Sequence, residues 1–486
     1  MIGTKALKLL QALDQEEFLR LGKFLRSPFY NYNKTIVALY EHLKKYYPAL
    51  DSNKLEKEKV WAKLYPGKAF HESSYWKICF NFNRLLENFL TAVQLEKQPR
   101  EARKKFVQAL GQRHAYELFA RESKALLAEI EQQPWQGIHS YADSLWLKHD
   151  YFFHPQTDKY GSALYSVEDV MEDLDRFYLL AKIRFAAEIK NRERMFPRQV
   201  PIRLLDECIV ESGKFVAENP AYLIYRKVLD LYDPALSEMA FREGRKLFGD
   251  HSASLSRHDQ NEVLLNLRNY AIRQAHKGRS AYWLEVFDLY KLGLQLDLLV
   301  VDGRISETIF VNIVKLGSEA KEFTWTEDFI ATHEKYLTDE VKEDARVQSL
   351  GTLFFARGDY DETLRLFSTH TFTQEIHQMS AKVAILKACF YKYLEDSNLY
   401  DLLESNLEAV LKYFRRNQSI AKQRKSQYIN FVIALKHFSA LVHKNERTEI
   451  VQQKMSGYLS NDKELAGKMW LVEMVDKYLN MRHPEF

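Results

Sequence analysis

Four turn signals recur at nearly equal intervals in the second half of the chain. Gly278, Gly317, Gly358 and Ser397 are separated by 39, 41 and 39 positions. Each interval holds two stretches in which apolar residues recur at helical spacing. Because a single hairpin cannot bury its own apolar face, a repeat of about 40 residues predicts an α-solenoid of stacked helical hairpins. The expected helix pairs are 304–316 with 326–337, 341–357 with 360–368, and 380–394 with 398–415.

Turn-forming residues are scarce, which favours helices over strands. Only 17 glycines and 11 prolines occur among 486 residues, roughly half the average usage. Few turn residues over a long chain mean few connections and therefore long helices. Aromatic residues make up 13% of the chain and supply a large core. We therefore expect an all-α fold with roughly seven hairpins in a right-handed superhelix.

The first hundred residues are expected to form a helical bundle module, 1–100, ahead of a solenoid over 101–486. Asp14 and Glu17 have the spacing of a capping box, and Pro28 ends the helix that they begin. A long fourth helix is expected from Ser73 or Ser74 to just before Pro99. Its Lys77, Asn81 and Arg84 would share one face, which is either an exposed surface or a face that reads a DNA groove.

The clearest hairpin lies within 345–367. Ala356 precedes the turn Arg357-Gly358-Asp359-Tyr360, and Leu364 and Phe367 begin the return helix. Gly358 is expected in the left-handed region. Over about 25 residues this unit resembles tetratricopeptide-type helical repeats, without the Trp and terminal Pro of their consensus. The chain as a whole is similar to long bacterial helical proteins of no assigned function. These resemblances imply an architecture and transfer no catalytic residues.

Charge, apolar runs and cysteines exclude several classes of protein. The formal net charge is only +4, so the whole chain is not a polycation that coats nucleic acid. A leader peptide is not expected, since Lys8 and Gln11 interrupt the first apolar stretch. A membrane-spanning helix is not expected either, because no window of the sequence offers about 18 apolar residues. Three widely spaced cysteines predict buried thiols rather than disulfides or metal ligands. We therefore expect a cytoplasmic protein.

Motifs of known enzymes are absent or incomplete. His71-Glu72 begins a zinc-protease pattern, but Tyr75 stands where the second His is needed. Gly67-Lys68 is followed by Ala69, which excludes a phosphate-binding loop. We expect no catalytic residue, no metal, no cofactor, no membrane contact and no small-molecule substrate. A helical enzyme with an unrecognised site is the alternative left open.

One run of cations stands out from this near-neutral background. Six basic residues lie within 412–425, with no acidic residue between them, and together carry a charge of +6. We call this cluster the basic patch. Such a patch can attract an acidic protein or the phosphates of nucleic acid, or it can be a solvated loop between two helices. Tyr413, Phe414 and Tyr428 interleave rings that could stack on unpaired bases. The basic patch consists of Lys412, Arg415, Arg416, Lys422, Arg424 and Lys425.

Asparagines inside expected first helices form the second candidate feature. Asn266, Asn269, Asn312 and Asn430 lie among apolar residues, although Asn is a poor helix former. They either clamp the backbone of a bound peptide in the concave groove, flanked by Arg268 and Arg273, or bond neighbouring helices inside the stack. The sequence thus predicts a non-enzymatic scaffold that captures a protein or peptide. Nucleic-acid binding through the basic patch is the alternative. The candidate binding residues are Arg268, Asn269, Arg273, Asn312, Tyr428, Asn430 and the basic patch.

Overall fold

The computed structural model describes residues 4–158, 164–196, 199–459 and 464–482. These residues divide into two compact units. The first comprises residues 4–133 with 139–158 and 164–177, and the second comprises 134–138 with the described residues from 178 onward. Both units are helical, which confirms the all-α prediction.

The first unit begins with five helices around one apolar core that runs from Ala6 to Val93. Asp14 accepts a hydrogen bond from the Glu17 amide at 2.8 Å and caps the second helix, as predicted. A separate cluster of buried residues lies among the helices that follow Pro99. The proposed domain boundary near residue 100 stays a prediction. The helices are α1 (Thr4–Gln11), α2 (Gln15–Arg26), α3 (Lys34–Leu43), α4 (Lys57–Leu64), α5 (Glu72–Lys97), α6 (Pro99–Gln112), α7 (Tyr116–Glu131), α8 (Ile138–Phe152) and α9 (Val167–Met195), which continues into the second unit.

The second unit is a series of helical hairpins joined by short turns. Within this second unit, a short two-stranded antiparallel β-hairpin pairs Val300 with Ile305 between two consecutive helical hairpins. Its helices are α10 (Leu205–Ser212), α11 (Ala221–Asp230), α12 (Ser237–His251), α13 (Arg257–His276), α14 (Tyr282–Gln295), α15 (Glu307–Glu319), α16 (Phe323–His333), α17 (Asp339–Arg357), α18 (Tyr360–Thr369), α19 (Glu375–Glu395), α20 (Tyr400–Arg416), α21 (Lys422–His443), α22 (Thr448–Leu459) and α23 (Lys468–Arg482), and its strands are β1 (Val300–Val301) and β2 (Arg304–Ile305).

The hairpins that begin with α15, α17 and α19 stack through their first helices. Helix α15 packs on α17, and α17 packs on α19, while each first helix also packs on its own return helix. This arrangement is the α-solenoid that the repeat predicts, because every hairpin borrows a wall from its neighbour.

Three of the four predicted turns lie where the sequence places them. Gly278 and Gly358 adopt φ values of +90° and +91°, which glycine tolerates at the end of a helix. Ser397 lies in a short 3₁₀ turn between α19 and α20. The turn at Gly317 was wrongly predicted, because Gly317 lies inside α15 and the chain turns at Lys321 instead. Gly317 serves packing, since an added Cβ would lie under 3.0 Å from Oγ1 of Thr326 in α16.

No helix in the described part of the chain combines the length and apolarity needed to cross a lipid bilayer.

Candidate functional site

The basic patch lies at one end of the hairpin formed by α20 and α21. Helix α20 ends at Arg416 and α21 begins at Lys422, so a five-residue loop, 417–421, separates the two halves of the patch. Five of the six cations are exposed, and Lys425 is half-buried. The Lys425 ammonium donates to the backbone carbonyl of Asn417 at 2.7 Å and holds the loop against α21.

The exposed members of the patch form no ion pair with any described residue. The acidic groups near the patch have other partners, although the charge of Arg415 assists Lys436 in lowering the pKa of Glu408. Glu408 pairs with Lys436, Glu375 accepts from Tyr413 and Asn417, and Glu464 accepts from two glutamines. The five cations are therefore available to an external anion.

Their position on α21 is electrostatically unfavourable. Lys422, Arg424 and Lys425 occupy the first turn, where no acidic residue offsets them and Ala421 supplies no side-chain cap. A helix dipole places partial positive charge at this end, so cations here destabilise the helix by roughly 0.3–1 kcal/mol each. Arg415 and Arg416, in the last turn of α20, are favourably placed instead. Lys422 and Arg424 thus cost stability without forming an ion pair among the described residues, whereas the hydrogen bond from Lys425 to Asn417 offsets part of its cost.

The aromatic side chains of this region are occupied by packing. The Phe414 ring is buried, and the half-buried Tyr428 packs on it at 5.2 Å between centroids. Tyr413 donates to Glu375 at 2.5 Å, and burial together with this hydrogen bond raises the pKa of Tyr413 to about 12. Burial also raises the pKa of Tyr428. Asn430 donates to the Glu464 carbonyl at 3.4 Å. The Phe414 ring is therefore closed to a nucleic-acid base, and the half-buried rings of Tyr413 and Tyr428 already pack on neighbouring side chains.

The two arginines expected beside a peptide groove pack on tyrosines. The Arg268 guanidinium lies 4.7 Å from the centroid of the Tyr290 ring. Arg273 lies 5.7 Å from Tyr232 and 5.9 Å from Tyr270. Burial, together with the charge of the nearby Arg194, lowers the pKa of Arg273.

The asparagines are not brought together. Asn266 donates to the Glu262 carbonyl at 2.8 Å and accepts from the Tyr232 hydroxyl. Tyr232 follows α11, so Asn266 bonds one hairpin to the preceding one, which is the structural role weighed against peptide binding. Asn269 is half-buried on α13, and Asn312 is exposed on α15.

A cleft that the sequence did not reveal lies on the face of three consecutive first helices. It has a volume of about 1070 Å³, and α23 forms its opposite wall. Asn312 is not among the lining residues, although its neighbour Val311 is. The one local feature of the sequence that hints at this cleft is Lys387, a charged residue inside the apolar sequence of α19. The first helices contribute Val311 and Lys315 from α15, Gln348 and Phe355 from α17, and Val383 and Lys387 from α19.

No known family model, curated protein or solved structure matches this chain. The geometry of the basic patch and of the cleft therefore carries the functional argument.

Proposed function

We propose that this protein is a non-enzymatic scaffold in which the basic patch binds an acidic segment of a partner protein. The observation that carries the proposal is that five members of the patch are exposed and form no ion pair with a described residue. In addition, three of the six members occupy the first turn of α21, where the helix dipole disfavours positive charge. Oppositely charged surfaces accelerate encounter and fix the register of a complex. An acidic segment would supply the negative charge that this end of α21 lacks.

An acidic protein fits the surroundings of the patch better than single-stranded nucleic acid does. Binding to unpaired bases relies on aromatic rings that can stack. Here Phe414 is buried and the hydroxyl of Tyr413 is held by Glu375. Nucleic acid could still bind through its phosphates alone, and the experiment below distinguishes that alternative. A tetratricopeptide-like relationship of the hairpins and a cytoplasmic location belong to the same proposal.

Fluorescence anisotropy with two labelled probes tests the proposal. The probes are an oligoglutamate peptide and a single-stranded oligonucleotide of equal charge. The variant R415E/R416E/R424E reverses three patch cations, and we expect it to bind the peptide at least about tenfold more weakly, a loss of about 1.4 kcal/mol.

A matched control separates the patch from net charge. K124E/K246E/K454E reverses three exposed lysines that lie outside the patch, and it should bind the peptide as the unmodified protein does. Equal losses in both variants would reduce the effect to overall charge and overturn the proposal. Tight, salt-sensitive binding of the oligonucleotide with none of the peptide would establish the nucleic-acid alternative.

A further inference from the structure

The cleft between the first helices and α23 has apolar walls. Val311, Phe355 and Val383 line one side, and Trp470 and Val472 of α23 line the other. Its volume of about 1070 Å³ lies just above the usual range of about 300–1,000 Å³ for small-molecule sites. Adjacent helices pack about 8–10 Å apart, so three of them present a strip roughly 16–20 Å long. The strip can hold an extended apolar chain.

One ammonium group reaches this apolar cleft without a carboxylate partner. Lys387 Nζ lies 5.0 Å from the Trp470 ring centroid and 6.0 Å from that of Phe431. The described residues offer it no ion pair. Burial, reinforced by repulsion from Lys315, lowers the pKa of Lys387 to about 8. An ammonium in such surroundings gains from a bound anion.

Two polar atoms beside the cleft also lack partners. Ser318 and Gln348 are only 2% and 8% exposed, and both line the cleft. Neither Ser318 Oγ nor Gln348 Oε1 has a hydrogen-bond partner among the described residues. Buried polar atoms are nearly always satisfied in folded proteins. Of these two atoms only the Ser318 hydroxyl can donate to a ligand carboxylate, because Gln348 Oε1 is itself an acceptor and needs a donor.

Acidic residues on the same lining restrict the charge of that ligand. Glu319, Glu473 and Asp476 also face the cleft. Glu473 pairs with Lys477 at 2.7 Å, and Glu319 lies 3.9 Å from Lys315. The charges of Glu319 and Glu473 reach Lys387 and partly oppose the fall in its pKa. A phosphate dianion or a strongly acidic peptide would be repelled by these carboxylates more strongly than a ligand with a single carboxylate.

We infer that the cleft is a binding site for an amphiphile with an apolar chain and a single carboxylate, such as a medium-chain fatty acid. The carboxylate pairs with Lys387, and the chain lies along the apolar walls. This site is separate from the basic patch, so the inference does not depend on the proposed function.

Isothermal titration of the full chain with decanoate tests the inference, with decanol as the uncharged ligand of equal chain length. At pH 7 decanoate should bind at least about tenfold more tightly than decanol. The variant K387M keeps the length of the side chain and removes its charge, so it should abolish this preference. K382M changes another half-buried lysine of α19, which lies over Tyr413 and outside the cleft, and it should keep the preference.

The pH dependence adds a second readout that a merely structural lysine would not show. The Lys387 ammonium is charged below its pKa of about 8 and neutral above it. Decanoate affinity should therefore be nearly constant between about pH 6 and 7, where both the carboxylate and the ammonium are charged, and fall about tenfold by pH 9.5, while decanol affinity stays unchanged.

A blocking variant keeps the inference falsifiable if K387M does not fold. A356F fills part of the apolar wall without altering a charge, and it should weaken both ligands. Equal affinities for decanoate and decanol, or no binding of either at millimolar concentration, would overturn the inference. Retention of decanoate binding by R415E/R416E/R424E would show that the patch and the cleft are tested separately, whereas its loss would place the ligand at the patch and overturn the inference.

Discussion

The ring of Phe367 in α18 occupies the space into which a side chain on Gly351 of α17 would project. An added Cβ at Gly351 would lie under 3.0 Å from three carbon atoms of this ring. Phe367 is buried together with Val347 and Phe372, so it has little room to move. The hairpin therefore depends on the absence of a side chain at one helical position.

The substitution G351A should destabilise the protein despite the higher helix propensity of alanine. Alanine gains up to about 1 kcal/mol of propensity over glycine, but overpacking a closed core costs about 1–3 kcal/mol. We expect a lower midpoint in urea unfolding. The control G249A lies in α12 with nothing within 4 Å of its added Cβ, and it should leave stability equal or raised. Equal behaviour of the two variants would contradict the packing account.

Removing Lys148 should destabilise the first unit more than a surface substitution does. Lys148 Nζ lies 2.8 Å from Asp173, and both side chains are buried. The variant K148M leaves Asp173 with only Ser144 and the more distant Arg176, at an expected cost of about 3 kcal/mol. Calorimetry should show the loss.

The exposed neighbour Asp175 supplies the control for this ion pair, since D175N removes a charge that is not buried. The double variant K148M/D173L should recover most of the lost stability, because a buried pair can be replaced by apolar groups. A double variant less stable than K148M alone would contradict this reasoning.

Asp344 should stabilise the loop after α18 in a pH-dependent manner. Burial by itself would raise its pKa, but hydrogen bonds from Thr373 at 2.6 Å and His370 at 2.8 Å hold the pKa below its ordinary value. A lowered pKa means that the stabilisation is complete at neutral pH and is lost as the pH falls through that lowered value.

The variant D344N should therefore lower the thermal midpoint at pH 7, with a cost of about 1–3 kcal/mol. The difference from the unmodified protein should shrink in acid as Asp344 becomes protonated. D361N, at a carboxylate that is 84% exposed, should have little effect at either pH. A constant difference across the pH range would show that ionisation of Asp344 does not matter.

Acidic substitutions at the start of α21 should raise stability while they weaken binding. In K422E/R424E two cations become carboxylates, which favour the positive end of the helix dipole by about 0.3–1 kcal/mol each. We expect a higher thermal midpoint together with weaker oligoglutamate binding. A lower midpoint would show that these cations stabilise the free protein and would remove the main support for a docking role.

The fold could be predicted further than the site because hairpins are encoded locally. The spacing of apolar residues and the glycine at Gly358 specify where helices run and where one turn lies. Gly317 was misassigned because a glycine that admits a neighbouring helix and a glycine that ends a helix look alike in a sequence. The packed ring of Phe287, 3.2 Å from an added Cβ at Gly317, becomes evident only in three dimensions.

The candidate sites, like the turns, were predictable where their residues are close in sequence and not where they come from distant parts of the chain. The basic patch was identifiable because its members are neighbours in sequence. Arg268 and Arg273 were expected at an open groove, yet Arg268 packs on Tyr290 of α14 and Arg273 packs on Tyr232, which follows α11. The buried ion pair of Asp173 with Lys148 has no local signal in the sequence, because its two members lie on different helices. The cleft needs α23 to approach α19 from a distant part of the chain.

That distance affects how the protein is synthesised. Trp470 of α23 donates to the Tyr391 hydroxyl, which lies 79 positions earlier in the chain. At ~5–20 residues per second, a ribosome needs roughly 4–16 seconds to travel from one to the other. During that interval the ring of Phe390 lacks the contact that Trp470 later makes, and in its second half the newly added ring of Phe431 lacks it too. The wall that α23 provides exists only once translation has passed it, so a molecule that needs this wall can bind only to chains that have been synthesised beyond this point.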